Sequence, residues 1–163
     1  MKIIAHRCNL NGPSPAENTI DAMMKCFEYG LMVEIDVRLI DGKLYLGHDG
    51  PQKEVELQFL LDHGKKIFIH CKNIEALLYL KDYNNVWENK ALNVFGHSRD
   101  PFVLTSGGDV FCAVGIVGEG CVCVMPELHI PGFSDEDFNK FKYILTDYPH
   151  GYTNENHNNT IGT

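Results

Sequence analysis

The spacing of apolar positions changes period several times along the chain, and each change marks an element. KIIAHR, at residues 2–7, is a short strand-like run, followed by a Pro-containing loop, NLNGPSPAE. Ile20, Met23, Met24 and Phe27 then fall at i, i+3, i+4 and i+7, one face of a helix. Asn18, with Asp21 three residues on, is the expected N-cap, and Gly30 the expected stop. MVEIDV (32–37) returns to a strand, VELQFLLDHG (55–64) reads as a short helix, and KKIFIHCKN (65–73) as a third strand. IEALLYLKDY (74–83) is a second amphipathic helix. Beyond it ALNVF, PFVLT, CVCVM and KYILT are strand-like, with one helical stretch, SDEDFNKFK, capped by Ser134. The polar, aperiodic residues 151–163 read as a flexible tail behind one domain over residues 1–150.

Strand, helix, strand, helix in this order predicts an α/β fold on a parallel sheet, whose chemistry collects at the carboxyl edge of the strands. The unusual residues gather at that edge. His6 and Arg7 end the first strand, Glu34 and Asp36 the second, and His70 and Lys72 the third, with Cys71 on the opposite face. Asp147 follows the last strand. Asp41-Gly42 is a strong signal for a two-residue hairpin, since both central positions of such a turn take φ > 0. With that turn Ile40 faces Lys43, Val37 faces Leu46 and Ile35 faces His48. The hairpin therefore brings His48 beside Glu34 and Asp36. Two carboxylates on one strand face repel each other unless a cation lies between them.

Composition narrows the choice of partner. The 163 residues are 44% hydrophobic and 22% charged, ordinary for one globular domain. With 14 Lys and Arg against 22 Asp and Glu the net charge is −8, which argues against nucleic-acid binding. No apolar run approaches the ~18 residues of a membrane span, and no secretory h-region is seen at the start, so the expected compartment is the cytoplasm. The six cysteines form no CxxC pair and read as free thiols in a reducing compartment. Cys121 and Cys123 share a strand face, but two thiols make only half a zinc site.

IAHR, AENTIDAM, VEIDV, DGKLYLGHD and the closing YILTDYP, in this order and spacing, resemble the glycerophosphodiester phosphodiesterase family. The match is specific over the first 49 residues, weaker at TDYP and thin between positions 73 and 140. The resemblance implies a (β/α)8 barrel with a divalent cation at its mouth, Mg2+ or Ca2+. It implies His6 and His48 as the catalytic histidines, Arg7 and Lys72 as phosphate contacts, and Glu34 and Asp36 as metal carboxylates. Glu17 and Asn18 match a supporting motif, and Asp49 is placed to orient His48.

Two departures change these expectations. Where the family commonly carries Glu-x-Lys on its third strand, this chain has His70-Cys71-Lys72. A histidine as third ligand removes a negative charge and moves the metal preference toward Mn2+, Fe2+ or Zn2+. A (β/α)8 barrel also usually takes ~250 residues, so the fold expected here is a compact, reduced TIM-type barrel with several later helices missing. An exposed flank of such a barrel would suit a second subunit, a homodimer.

The remaining histidines His63, His129, His150 and His157 read as surface or loop residues. His97 follows a strand, with a position away from the mouth the favoured reading. Glu127 is a secondary candidate for the mouth, Asp147 could hold a turn, and Trp87 reads as cover for the barrel bottom. The reading is a metal-dependent hydrolase of a small phosphodiester such as a glycerophosphodiester. Two others stand against it: a barrel that binds a phosphate ligand without turnover, and an accessory domain in cell-envelope or polysaccharide phosphate metabolism.

Overall fold

The computed structural model describes residues 3–86, 92–97, 102–112, 120–130 and 134–152. Trp87, His157 and the tail from residue 153 lie outside them, as does the side chain of His129. In chain order the elements are β1 (Ile3–Ala5), α1 (Ile20–Glu28), β2 (Met32–Ile40), β3 (Lys43–Leu46) and β4 (Lys53–Glu54). Next come α2 (Leu57–His63), β5 (Ile67–Cys71), α3 (Ile74–Val86), β6 (Asn93–Gly96), β7 (Phe102–Leu104) and β8 (Val110–Cys112). The chain ends its described part with β9 (Val122–Val124), α4 (Pro126–His129), α5 (Asp135–Lys140) and β10 (Tyr143–Thr146). Among the described residues no helix is long and apolar enough to cross a membrane.

The fold is mixed α/β on one ten-stranded sheet. Strands β6, β5, β2, β1, β10, β9 and β8 lie side by side and parallel, and β7 pairs antiparallel with β8 at one end. Strand β2 outlasts its neighbours. Its start pairs with β1, its middle with β5, and its last residues turn back on β3 in the expected register, Val37 with Leu46 and Ile40 with Lys43; the ladder ends there, so the expected Ile35–His48 pair does not form and Ile35 pairs with Ile69 of β5. Asp41 (φ 50°) and Gly42 (φ 77°) make the predicted turn with both central residues left-handed.

Alternation along each strand splits the core in two. One set, Ala5, Val33, Ile35, Val37, Ile69 and Cys71, packs under the helices against Met23, Cys26, Phe27, Leu60 and Leu80. Each fully buried aliphatic side chain of this kind contributes ~1.5–3 kcal/mol over exposure. The opposite face carries Ile4, Phe68, Phe95, Phe111, Val122 and Leu145, one from each of six parallel strands. Phe68 of β5 meets Phe111 of β8 at 5.5 Å and Tyr143 of β10 at 5.7 Å between ring centroids. None of these strands are ladder neighbours, so the sheet curls until its inner face packs on itself. Among the described residues no ladder joins β6 to β7. The gap is spanned by the turn after β7, where Ser106 N–H donates to Val94 O and Val94 N–H to Ser106 Oγ, both at 2.9 Å. Asp109, paired with Asn93 and Lys142, ties the same corner.

Local details depart from the sequence reading. The N-cap of α1 is Thr19, whose hydroxyl accepts from Ala22 N–H at 3.2 Å; Asn18 is displaced into the site. Met24 is exposed, and Cys26 takes its place in the buried stripe of α1. His6 and Arg7 lie in a 3-10 turn just past β1 rather than in the strand. Helix α2 does end at Gly64, its C-cap, and the chain goes on from there into a 3-10 turn, Gly64–Lys66. β8, three residues long between Gly-rich segments, carries too little periodicity to be read beforehand.

Candidate functional site

Val33, Ile35 and Val37 of β2 face the helices, so Glu34 and Asp36 between them face inward. The parallel register sets Asp36 beside His70 of β5, and His70 beside Phe95 of β6. Three strands thus deliver two acids, an imidazole and a phenyl ring to one corner of the inner face. One oxygen each of Glu34 and Asp36 and one ring nitrogen of His70 lie within 4.8 Å of one another. His70 Nδ1 is 3.1 Å from Asp36 Oδ1 and 3.7 Å from Glu34 Oε1.

Both acids are almost wholly buried, Glu34 at 2% and Asp36 at 1% exposure, and their surroundings drive them apart. Burial and the neighbouring Asp36 charge raise the Glu34 pKa, with His6 and Arg7 opposing. Burial also acts to raise Asp36, but hydrogen bonds from His70 and Asn18 and the Lys72 charge overcome it and hold Asp36 ionised. Burial keeps His70 neutral against the pull of Asp36, with Lys72 adding to the effect. A buried, repelling carboxylate pair beside a neutral imidazole is a donor set that fits a divalent cation. Among the described residues this is the group with that capacity. Cys123 is buried, Cys121 is half-buried, and both are free thiols outside any such cluster.

The supporting side chains are fixed to the acids. Asn18 (φ 55°) is buried and grips Asp36 twice, accepting from its N–H at 2.8 Å and donating to Oδ2 at 3.0 Å. Arg7 takes a left-handed φ of 50°, which aims its amide at Glu34 Oε2, 3.2 Å away. Its guanidinium lies 3.4 Å from both Asp36 and Glu17, and Glu17 also accepts from Asn9. Lys72 Nζ stands 3.6 Å from Asp36 Oδ1.

His6 and His48 both line the same cavity. His6 Nδ1 is 2.8 Å from Asp147 Oδ1, and Asp147 also accepts from Asn9 at 2.9 Å. Burial alone would lower the His6 pKa; the Asp147 hydrogen bond and the Glu34 and Asp147 charges outweigh it and leave it raised. Burial would raise Asp147, yet its bonds to His6 and Asn9 leave it lowered. Asp147 therefore accepts as a carboxylate and His6 donates from Nδ1, which leaves Nε2 outside this bond. Glu127 does not line the cavity. It accepts from Thr146 Oγ1 at 2.8 Å and Asp147 N–H at 3.1 Å, holding the segment that carries Asp147. His48 enters through Gly47 (φ 139°), where a Cβ would lie 2.1 Å from Gly50 O, so the tight return needs glycine. Its Nδ1 meets the fully exposed Asp49 at 2.7 Å, and its carbonyl accepts from Arg38 at 2.5 Å.

The cavity these groups share has a volume of about 310 Å³ and two unlike walls. The charged residues form one. Phe102, Val103, Phe111, Val124 and Leu145 form the other, and Phe95 joins the two, stacked on His70 at 4.9 Å and on Phe111 at 4.8 Å. His97, favoured by the sequence for a place away from the mouth, stands at it, with Nδ1 3.2 Å from His70 Nε2. The usable signal was register: Gly96 pairs with Cys71, and His97 is the next residue. His63 stacks on Phe27 and Phe59, and His150 lies edge-on to Tyr29, both outside the cavity. The Cys26 and Cys71 thiols are pushed up to about 12 by burial, which removes them as nucleophiles.

No protein-family model, curated protein or solved structure matches the chain.

Proposed function

We propose that the protein is a metal-dependent phosphodiester hydrolase of the glycerophosphodiester phosphodiesterase type, built on a reduced TIM-type barrel. The observation that carries this reading is the meeting, in one cavity, of His6, His48, Arg7 and Lys72 with the Glu34–Asp36–His70 cluster. The inner apolar cluster drawn from six parallel strands, and the short span between β6 and β7, support the barrel.

Glu34, Asp36 and His70 are the residues that would hold the ion. When bound, a divalent cation neutralises a non-bridging phosphate oxygen and orients a nucleophile. Arg7 offers a planar fork and Lys72 a movable charge for the remaining phosphate oxygens. Both cations are half-committed to the buried acids, which keeps their heads on the charged wall of the cavity. His6, its Nδ1 proton held by Asp147, takes or gives a proton at Nε2, while His48 serves the opposite side of the phosphorus. Asn18 and Glu17 position Asp36 and Arg7 and touch no substrate. The apolar wall suits the carbon part of one alcohol group of the diester.

The test is hydrolysis of bis(p-nitrophenyl) phosphate and of glycerophosphocholine by metal-stripped protein resupplied with Mg2+, Ca2+ or Mn2+. Metal-stimulated release of nitrophenol, lost in His6→Ala and Glu34→Ala, is the expected result. Saturable binding of inorganic phosphate by a folded protein that hydrolyses neither ester would instead favour a binding barrel.

A further inference from the structure

His70 has both ring nitrogens engaged. Nδ1 faces the carboxylates, 3.1 Å from Asp36 Oδ1, and Nε2 faces His97 Nδ1 at 3.2 Å. The His70 ring lies nearly parallel to two others, Phe95 at 4.9 Å and 4° and His97 at 5.3 Å and 11°. A side chain held between such neighbours does not flip freely, so each nitrogen has a fixed partner.

An imidazole ligates through an unprotonated nitrogen, and its remaining N–H then needs an acceptor that fixes tautomer and ring direction. We infer that His97 is a positioning residue for His70, accepting the Nε2 proton so that the Nδ1 lone pair points at the two carboxylates. The inference rests on the metal reading above and adds a coupled change of tautomer. Without an ion, His70 Nδ1–H donates to Asp36, and His97 Nδ1–H donates to His70 Nε2. With an ion, His70 carries its proton on Nε2 and donates to His97 Nδ1, and His97 carries its own on Nε2 at the cavity mouth. Each ring keeps one N–H throughout, so proton number is conserved and only position changes. One imidazole beside two carboxylates also makes Mn2+, Fe2+ or Zn2+ a better match than Ca2+.

The experiment measures Mn2+ affinity by calorimetry in the full chain and in two variants. His97→Phe keeps a flat ring and removes the acceptor; His97→Asn returns an acceptor near the Nδ1 position. The expected result is a loss of ~10–100-fold in His97→Phe, the range for removing such a partner, with His97→Asn recovering most of it. Nitrogen-15 spectra of the histidine rings, recorded with and without Zn2+, should show His70 and His97 exchanging tautomers together. Parent affinity in His97→Phe, or a His97→Asn variant no better than His97→Phe, overturns the role of His97 and leaves the metal reading standing. A parent protein that binds no Mn2+ overturns both.

Discussion

From β1 to β6 the sheet is backed by helices of nine, seven and thirteen residues, whereas β9 and β10 are joined across helices of only four and six. The two regions also divide the cavity between them. The helix-backed strands and the hairpin supply the charged wall, His6 to Lys72. Strands β7 to β10 supply much of the apolar wall, the residue after β10 is Asp147, and Phe102 and Leu104 on β7 are more than half exposed. Glu34, Asp36 and His70 stand on strands whose backs are packed against helices. Behind β9 and β10, Cys123 and Ile144 pack with Phe141, Ile130 and Phe138 in a smaller cluster of their own. Under the proposed function, chemistry and selectivity would be separated along the chain.

The largest effect expected from this division is on turnover. His6→Ala should lower the rate on a phosphodiester by ~100- to 10,000-fold, the range for a general acid or base, while Phe102→Ser should alter the ranking of substrates far more than the rate on a small activated ester. Steady-state kinetics on two esters with different alcohol groups read both. Equal losses in the two variants would erase the distinction between the walls.

Stability should divide in the same way. Ile35→Ala, fully buried beneath the helices, should cost ~2–5 kcal/mol. Val103→Ala, half-buried on β7, should cost about 1 kcal/mol. Urea unfolding of both variants measures the contrast, and amide exchange should be slower in β2 and β5 than in β7.

Most of the charged wall was legible in the sequence because it is local. VEIDV puts two acids on one strand face, and Asp41-Gly42 brings His48 back within a dozen residues. What escaped reading depends on contacts between distant segments. Asn18 and Thr19 are both good caps, and Thr19 holds the helix because the Asn18 side chain is taken by Asp36, eighteen positions away. His97 needed the register of β5 against β6. Asp147 needed β10 beside β1, which sets it against His6 across 141 positions. PFVLT reads as a strand, but its antiparallel partner β8 is three residues long, too short for a period to emerge.

A pH series tests the link between the regions, since the His6–Asp147 pair joins them. Asp147 has a lowered pKa, so its contribution is complete above ~4 and is lost as pH falls through the depressed value. His6 has a raised pKa, so its contribution is complete below ~6.5 and fades as pH rises through the raised value. The two limits leave a window between ~4 and ~6.5 in which Asp147→Asn should lower the Tm most, the difference shrinking on either side. A Tm difference independent of pH would show that Asp147 acts through packing alone. The smallest effect is expected at Asp49, whose carboxylate is almost fully exposed. Asp49→Asn should change activity by less than about fivefold, as for other exposed pairs.

In the proposed function, diester hydrolysis depends on an ion held by the Glu34–Asp36–His70 cluster. The direct measurement titrates Mn2+ into metal-stripped protein, following binding by calorimetry and bis(p-nitrophenyl) phosphate hydrolysis on the same samples. The expected result is one site per chain, hydrolysis rising and saturating over the same concentrations as binding, and both lost in Glu34→Ala. Binding in a folded protein with hydrolysis absent at every concentration would contradict it.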